Sequence, residues 1–201
     1  MSWKDIEKSN SGEKGDKTSY TKFEEGSTLI RILGEEPFSF WSHYMTNQKT
    51  SVTCPGKGCP ICKVIEASKK TGEKTNKYNT SRRHAITIWN YETERQEIMI
   101  SSKTLFGQLL EFLIDEELGD LREYDVKIIR RGKGTETTYS VLPGKRYKFE
   151  HDDECEEIDI ENILKAPTHE QIKLLMEGKT WDEINEMESN NEDSENEDIQ
   201  F

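Results

Sequence analysis

Between Phe23 and Phe149 apolar positions recur mainly every second residue, a period that predicts strands separated by turns. Residues 28–33 are rich in branched side chains, stop at Gly34 and predict a first strand. Residues 38–45 predict a second strand, on which Phe38, Phe40 and Tyr44 share one face and Trp41 and His43 the other. Residues 46–82 interrupt the alternation with polar side chains, three cysteines and several lysines, which predicts an inserted subdomain with a short helix from Pro60 toward Lys70. Alternation resumes over residues 84–91. There Ile86 and Ile88 point to a core, while Thr87, Trp89 and Tyr91 point the other way and are read as exposed. A turn at residues 92–94 leads into a strand over 95–100.

The period then changes. Ser102 is a plausible N-cap, Leu105, Leu109, Phe112 and Leu113 lie one helical face apart, and Gly119 suits a C-terminal stop. Two strands follow, over 124–131 and 137–142, and Pro143-Gly144 is read as a turn into a last strand over 146–149. Phe38, Phe40, Phe106 and Phe112 are read as core. After Pro167, Thr168 and Gln171 have capping-box spacing before a short helix carrying Ile172, Leu174, Leu175 and Met176. This order predicts a mostly β chain with one main helix, α+β in class, folded as an OB-type barrel with an insertion at about 46–82.

Composition limits how much of the chain packs. Only 32% of the 201 residues are hydrophobic while 34% are charged, so disordered ends are expected. Residues 1–22 read as a flexible arm, 23–150 as the OB-fold domain, 151–187 as an acidic extension with a short helix, and 188–201 as a disordered acidic tail with a hydrophobic tip. No apolar run suits a membrane span and none follows Met1, so neither a membrane anchor nor a secretory signal is expected. The formal charge of −12 hides opposite regions. Residues 150–201 hold three lysines and 19 acids, or −16, whereas residues 43–104 hold 11 basic and five acidic side chains, or +6. A basic middle and a tethered polyanion are what remain.

Three of the four cysteines lie within nine residues, as Cys54-Pro-Gly-Lys-Gly-Cys59-Pro-Ile-Cys62. A Cys-x-x-Cys turn lets two thiolates converge on one ion, and the glycines let the loop bring Cys54 round as a third. The soft donors point to Zn²⁺ in a closed, structural site. His43 is the first choice of fourth ligand and His84 the runner-up, with Cys155 left as a free thiol. A deaminase would add a His-x-Glu motif, and no histidine here has Glu two places on. A thiol oxidoreductase would place the pair in a βαβ setting. No P-loop, Gly-x-Ser-x-Gly, HExxH or Gly-x-Gly-x-x-Gly occurs, so no enzymatic activity is expected.

Cations and rings interleave in the middle of the chain: Lys77, Tyr78, Arg82 and Arg83 precede Trp89 and Tyr91. Arg130, Arg131 and Lys133 crowd one turn, and Lys145 and Arg146 the next. Cations track phosphates and rings stack on bases, so these eleven residues are the expected contacts for single-stranded nucleic acid.

Together these features resemble the zinc-containing single-stranded DNA-binding proteins of tailed bacteriophages. The resemblance rests on the strand pair 29–33 and 38–45, on His43 ahead of Cys54, Cys59 and Cys62, on the basic-aromatic run from Lys77 to Trp89, and on the acidic end. It implies His43 as the fourth zinc ligand, coating of single strands during replication, recombination and repair, and residence in the cytoplasm of an infected bacterial host. The stretch from Glu192 to Phe201 is similar to the tail tip of bacterial single-stranded DNA-binding proteins, although Gln200 stands where proline is usual. That similarity makes Asp198, Ile199 and Phe201 the expected contacts for replication and recombination proteins. The alternative, from another class, is a zinc-ribbon-like adaptor in phage transcription or replisome loading that touches only proteins.

Overall fold

The computed structural model describes residues 19–72 and 75–196. Most of the expected arm and the tail tip with Asp198, Ile199 and Phe201 lie outside the described residues. The elements run β1 (Gly26–Ile32), β2 (Phe38–Met45), β3 (Thr50–Thr53), α1 (Pro60–Thr71), β4 (Tyr78–Asn90), β5 (Arg95–Ser102), α2 (Lys103–Leu113), β6 (Tyr124–Arg131), β7 (Thr138–Arg146), α3 (Ile160–Ile163), α4 (His169–Glu177) and α5 (Trp181–Asn196). The class is α+β with a mostly antiparallel sheet. Its strands hydrogen-bond in the order β3-β2-β4-β1-β6-β7, with β5 on β4. Among the described residues this path does not return on itself, so the expected barrel is not closed. No described helix is long and apolar enough to cross a membrane.

The chain divides into two compact units. The first holds the residues up to Glu35, Ile86–Ile100 and Glu111–Glu156. Here β1 pairs with the end of β4, Ile32 opposite Ile88, and on its other side with β6, which in turn pairs with β7. Ile30, Ile32, Ile88, Ile98, Val126 and Ile128 are buried, as alternation on a half-buried sheet requires. The opposite face is also covered. Arg31 and Asp125 stand directly across from each other, and their buried side chains form an ion pair of 2.7 Å. Arg31 also donates to the Arg122 carbonyl at 3.0 Å, and the Tyr147 and Phe149 rings lie over its guanidinium at 4.9 and 5.5 Å.

Two expectations change in this unit. Pro143-Gly144 is not a turn, because β7 runs through it to Arg146 opposite Tyr124. A register irregularity between Tyr124 and Val126 takes up the misfit, and a side chain at Gly144 would meet the Asp125 carbonyl oxygen at 2.8 Å. Residues 147–149, expected as a strand, instead pack their rings over Arg31.

The second unit holds Glu36–Ala85, Ser101–Leu110 and the residues from Glu157. β2 pairs with the first part of β4, from Phe38 opposite Ala85 to Met45 opposite Tyr78, and with the short β3. The inserted segment therefore contains a strand that the polar texture concealed. Met45, Val52, Cys59, Ile61, Tyr78, Ile172, Leu175 and Ile184 form its buried cluster. Helix α4 contributes Ile172 and Leu175, three residues apart on one face. It opens with the expected capping box, Thr168 accepting from the Gln171 backbone at 3.1 Å and Gln171 from the Thr168 backbone at 2.8 Å. Gln48 donates to the Leu175 and Lys179 carbonyls at 2.8 Å each, holding the end of α4.

Helix α5 reaches Asn196, where sequence texture predicts a disordered tail from residue 188. Local signals fix its start. Glu183 accepts from the Thr180 backbone at 2.8 Å, Asp182 and Glu183 lie at the positive end of the helix dipole, and Ile184 anchors the first turn in the core. Phe38 and Phe40, expected in the core, are half-buried and stack on each other at 5.9 Å, and Phe106 and Phe112 are half-buried too.

Candidate metal centre and nucleic-acid interface

His43 sits on β2 with its imidazole fully buried, and Cys54 follows β3. Cys59 occupies the N-cap of α1 and Cys62 its first turn. Pro60 at the first helical position lets the helix start without a wasted amide, so both thiols of the Cys-x-x-Cys step point one way. Between Cys54 and Cys59 the chain turns through Gly56 and Gly58 at φ of 80° and 87°. At Gly58 a side chain would also meet the His169 ring at 3.0 Å.

The ligand atoms of these four residues all lie within 4.8 Å of one another. His43 Nε2 is 3.4 Å from Cys59 Sγ and 3.5 Å from Cys62 Sγ, and Cys54 Sγ is 3.7 Å from Cys62 Sγ. A tetrahedron with Zn–S near 2.3 Å and Zn–N near 2.05 Å has edges of about 3.8 Å between sulfurs and about 3.6 Å between nitrogen and sulfur. The spacing is therefore compatible with zinc. Thr80 Oγ1 holds His43 Nδ1 at 2.9 Å, which turns Nε2 toward the thiols. Burial pushes the Cys62 thiol up to about 12 and Cys54 upward, and it lowers His43. Each group thus favours its neutral form, and a divalent cation reverses that preference for the thiols. The runner-up ligand, His84, lies elsewhere, and so does Cys155. His84 Nδ1 is 2.7 Å from Ser39 Oγ, and the Cys155 thiol donates to the His151 carbonyl at 3.3 Å in the other unit.

The expected nucleic-acid contacts separate into groups. Trp89, read as an exposed platform, is only 2% exposed. His151 stacks on it at 4.5 Å and 12°, and Phe149 meets it edge-on at 6.0 Å. Tyr91 is half-buried and donates to Asp125 at 2.9 Å; burial and that carboxylate push its hydroxyl up to about 12. Alternation correctly put Trp89 and Tyr91 on one face, but residues 147–151 cover that face. Tyr78, opposite Met45, is buried in the second unit's core. Arg146 ion-pairs with Glu123 at 3.2 Å and donates to the Glu117 and Leu118 carbonyls, so it braces its own unit. In the first unit Arg131, Lys133 and Lys145 are exposed and Arg130 half-buried.

Lys77 and Arg82 are exposed in the second unit, with Arg83 half-buried. Arg82 stands directly opposite Trp41, a ring 53% exposed that had no assigned role. Trp41 shares its β2 face with His43, and its carbonyl accepts from the Cys54 amide at 2.8 Å, placing it at the rim of the metal centre. Strand period shows the shared face in sequence; exposure of the ring does not. Thr80 left no signal at all. Residues 36–85 carry nine Lys/Arg against three acids, or +6. Searched against protein-family models and against curated proteins, the chain matches none.

Proposed function

We propose that this chain binds single-stranded DNA without sequence preference, through the face of β2 and β4 beside a structural zinc site. The observation that carries the reading is the exposed Trp41 opposite Arg82, one strand period from a buried imidazole surrounded by three thiols. A solvent-exposed indole beside a guanidinium is poorly explained by folding and well suited to a stacked base and its phosphate. Lys77 lies just before β4, and the exposed Lys57 and Lys63 add charge to the unit.

His43, Cys54, Cys59 and Cys62 would hold the zinc ion, which supplies the positive charge that keeps three thiolates together. The residues do the rest. His43 ties β2, Cys54 the end of β3, and Cys59 and Cys62 the start of α1, so the strand presenting Trp41 is braced at its rim. The centre has four protein ligands and no open position, which suits a structural role. On this reading the sheet is an OB-type barrel left open, and the chain works without turnover in replication, recombination and repair in a phage-infected cell. Asp198, Ile199 and Phe201 serve as an interaction segment.

Affinity for an oligo-dT measured by fluorescence anisotropy should fall with salt, by a log–log slope of about −0.7 per phosphate contact. Trp41→Ala should weaken binding roughly 10- to 100-fold, while Trp89→Phe should leave it within a factor of two or so of the parent. Absence of binding by metal-loaded protein at low salt would end the proposal. The adaptor reading is favoured by a cleft beside β3, and it requires that Trp41 emission stay unchanged when oligo-dT is added.

A further inference from the structure

Strand β3 is the last strand of its sheet, with β2 as its partner, so one edge carries no strand among the described residues. Such an edge offers free amides and carbonyls to an extended chain. Beside it lies a cleft of about 480 Å³ lined by Ser51, Val52 and Thr53 on one side and by Ile163, Leu164, Lys165, Pro167 and Trp181 among others opposite. Every lining residue belongs to the second unit, and Lys165 is the one charged side chain among them. Trp181 and Ile163 are each 36% exposed. The cleft therefore suits a short extended segment with alternate apolar side chains and a carboxylate near them.

The chain itself contains such a segment. After Asn196 come Glu197, Asp198, Ile199, Gln200 and Phe201. In an extended segment Ile199 and Phe201 share one face, two residues apart, and Asp198 lies next to them. Reach excludes the chain's own cleft. Helix α5 begins at Trp181, in the cleft wall, and its 16 residues carry the chain about 24 Å away. Ile199, three residues further, reaches back only about 10 Å. We infer that residues 197–201 of one copy add as a strand to the β3 edge of a second copy, with Ile199 and Phe201 in the cleft and Asp198 against Lys165.

A tail that fills a neighbour's cleft leaves one cleft and one tail free, so the contact is heterologous and can add further copies head to tail. This association needs no nucleic acid, and its test is run without any, so its failure and that of the DNA-binding reading are separable. Sedimentation velocity of the metal-loaded full chain should show oligomers that grow with concentration. Two full-length variants break the contact from opposite sides. Ala166→Trp fills the cleft, and the Ile199→Ser, Phe201→Ser double variant removes the plug; each should remain monomeric. Mixed one to one they should form a heterodimer and nothing larger, because the first retains a tail and the second a cleft. Lys165→Glu, a surface change that leaves the core untouched, should weaken self-association by about fivefold. A wild-type chain that stays monomeric at every concentration overturns the inference, as do variants that associate like the parent or fail to pair when mixed.

Discussion

Both units bury a polar side chain on a sheet strand, and they settle it differently. Arg31 is 1% exposed and meets Asp125 from the neighbouring strand of its own unit, under the rings of Tyr147 and Phe149. His43 is fully buried, but its neighbours are three thiols, of which burial raises Cys54 and Cys62, and among the described residues no carboxylate belongs to the cluster. The first unit carries its own counter-charge. The second has a small cluster, two of whose eight buried members are a cysteine and a tyrosine, and on the proposed reading its polar centre is completed by a cation supplied from solution. If the proposed zinc site is right, stability of the first is a property of the sequence, and stability of the second depends also on the medium.

The sharpest way to break that contrast is to remove the cation. Cys59→Ser, or treatment with a strong chelator, should eliminate about one metal ion per chain and unfold the second unit. Structural zinc contributes about 10–16 kcal/mol of apparent binding energy in small peptides, more than a unit with this core can spare. Elemental analysis with circular dichroism checks it, and a Cys59→Ser chain that keeps α1 and α4 intact would refute the contrast. The complementary change, Asp125→Ala, should destabilise the first unit by about 3–5 kcal/mol because Arg31 is left buried and unpaired. Denaturant melts should show that loss while metal content stays unchanged.

A smaller effect belongs to alkaline pH. Burial raises Tyr91 to about 12, and also raises Tyr124 in the same unit and Tyr78 in the other. An unfolded tyrosine releases its proton near 10. Above that pH the folded chain holds more protons than the unfolded one, so stability falls as pH rises from about 10 toward 12. Thermal melts across this range should show the decline, and Tyr91→Phe should make it shallower.

Some of this architecture is legible in residues read singly. The Cys-x-x-Cys step, its neighbouring glycines and Thr168 with Gln171 each act over a few positions, so local spacing carries their meaning. The β2 period likewise puts His43 and Trp41 on one face. The errors share another cause. Alternation at Trp89 and Tyr91 separates two faces but does not show that residues 147–151, more than 50 positions away, cover the second. Pro143-Gly144 has turn chemistry, and only pairing with β6 makes it strand. Tyr78 sits in a basic stretch, and only its place opposite Met45 buries it.

The amino-acid order alone therefore determined the chemistry available: soft donors at converging spacing, a basic middle, an acidic end and the strand-forming runs. Those properties come from side-chain type and from contacts within one turn or strand. The tertiary structure decided which rings meet water, which histidine faces the thiols and which strand edge stays open. These outcomes depend on partners brought together by folding, and burial, unlike periodicity, is a property of the neighbours as much as of the residue itself.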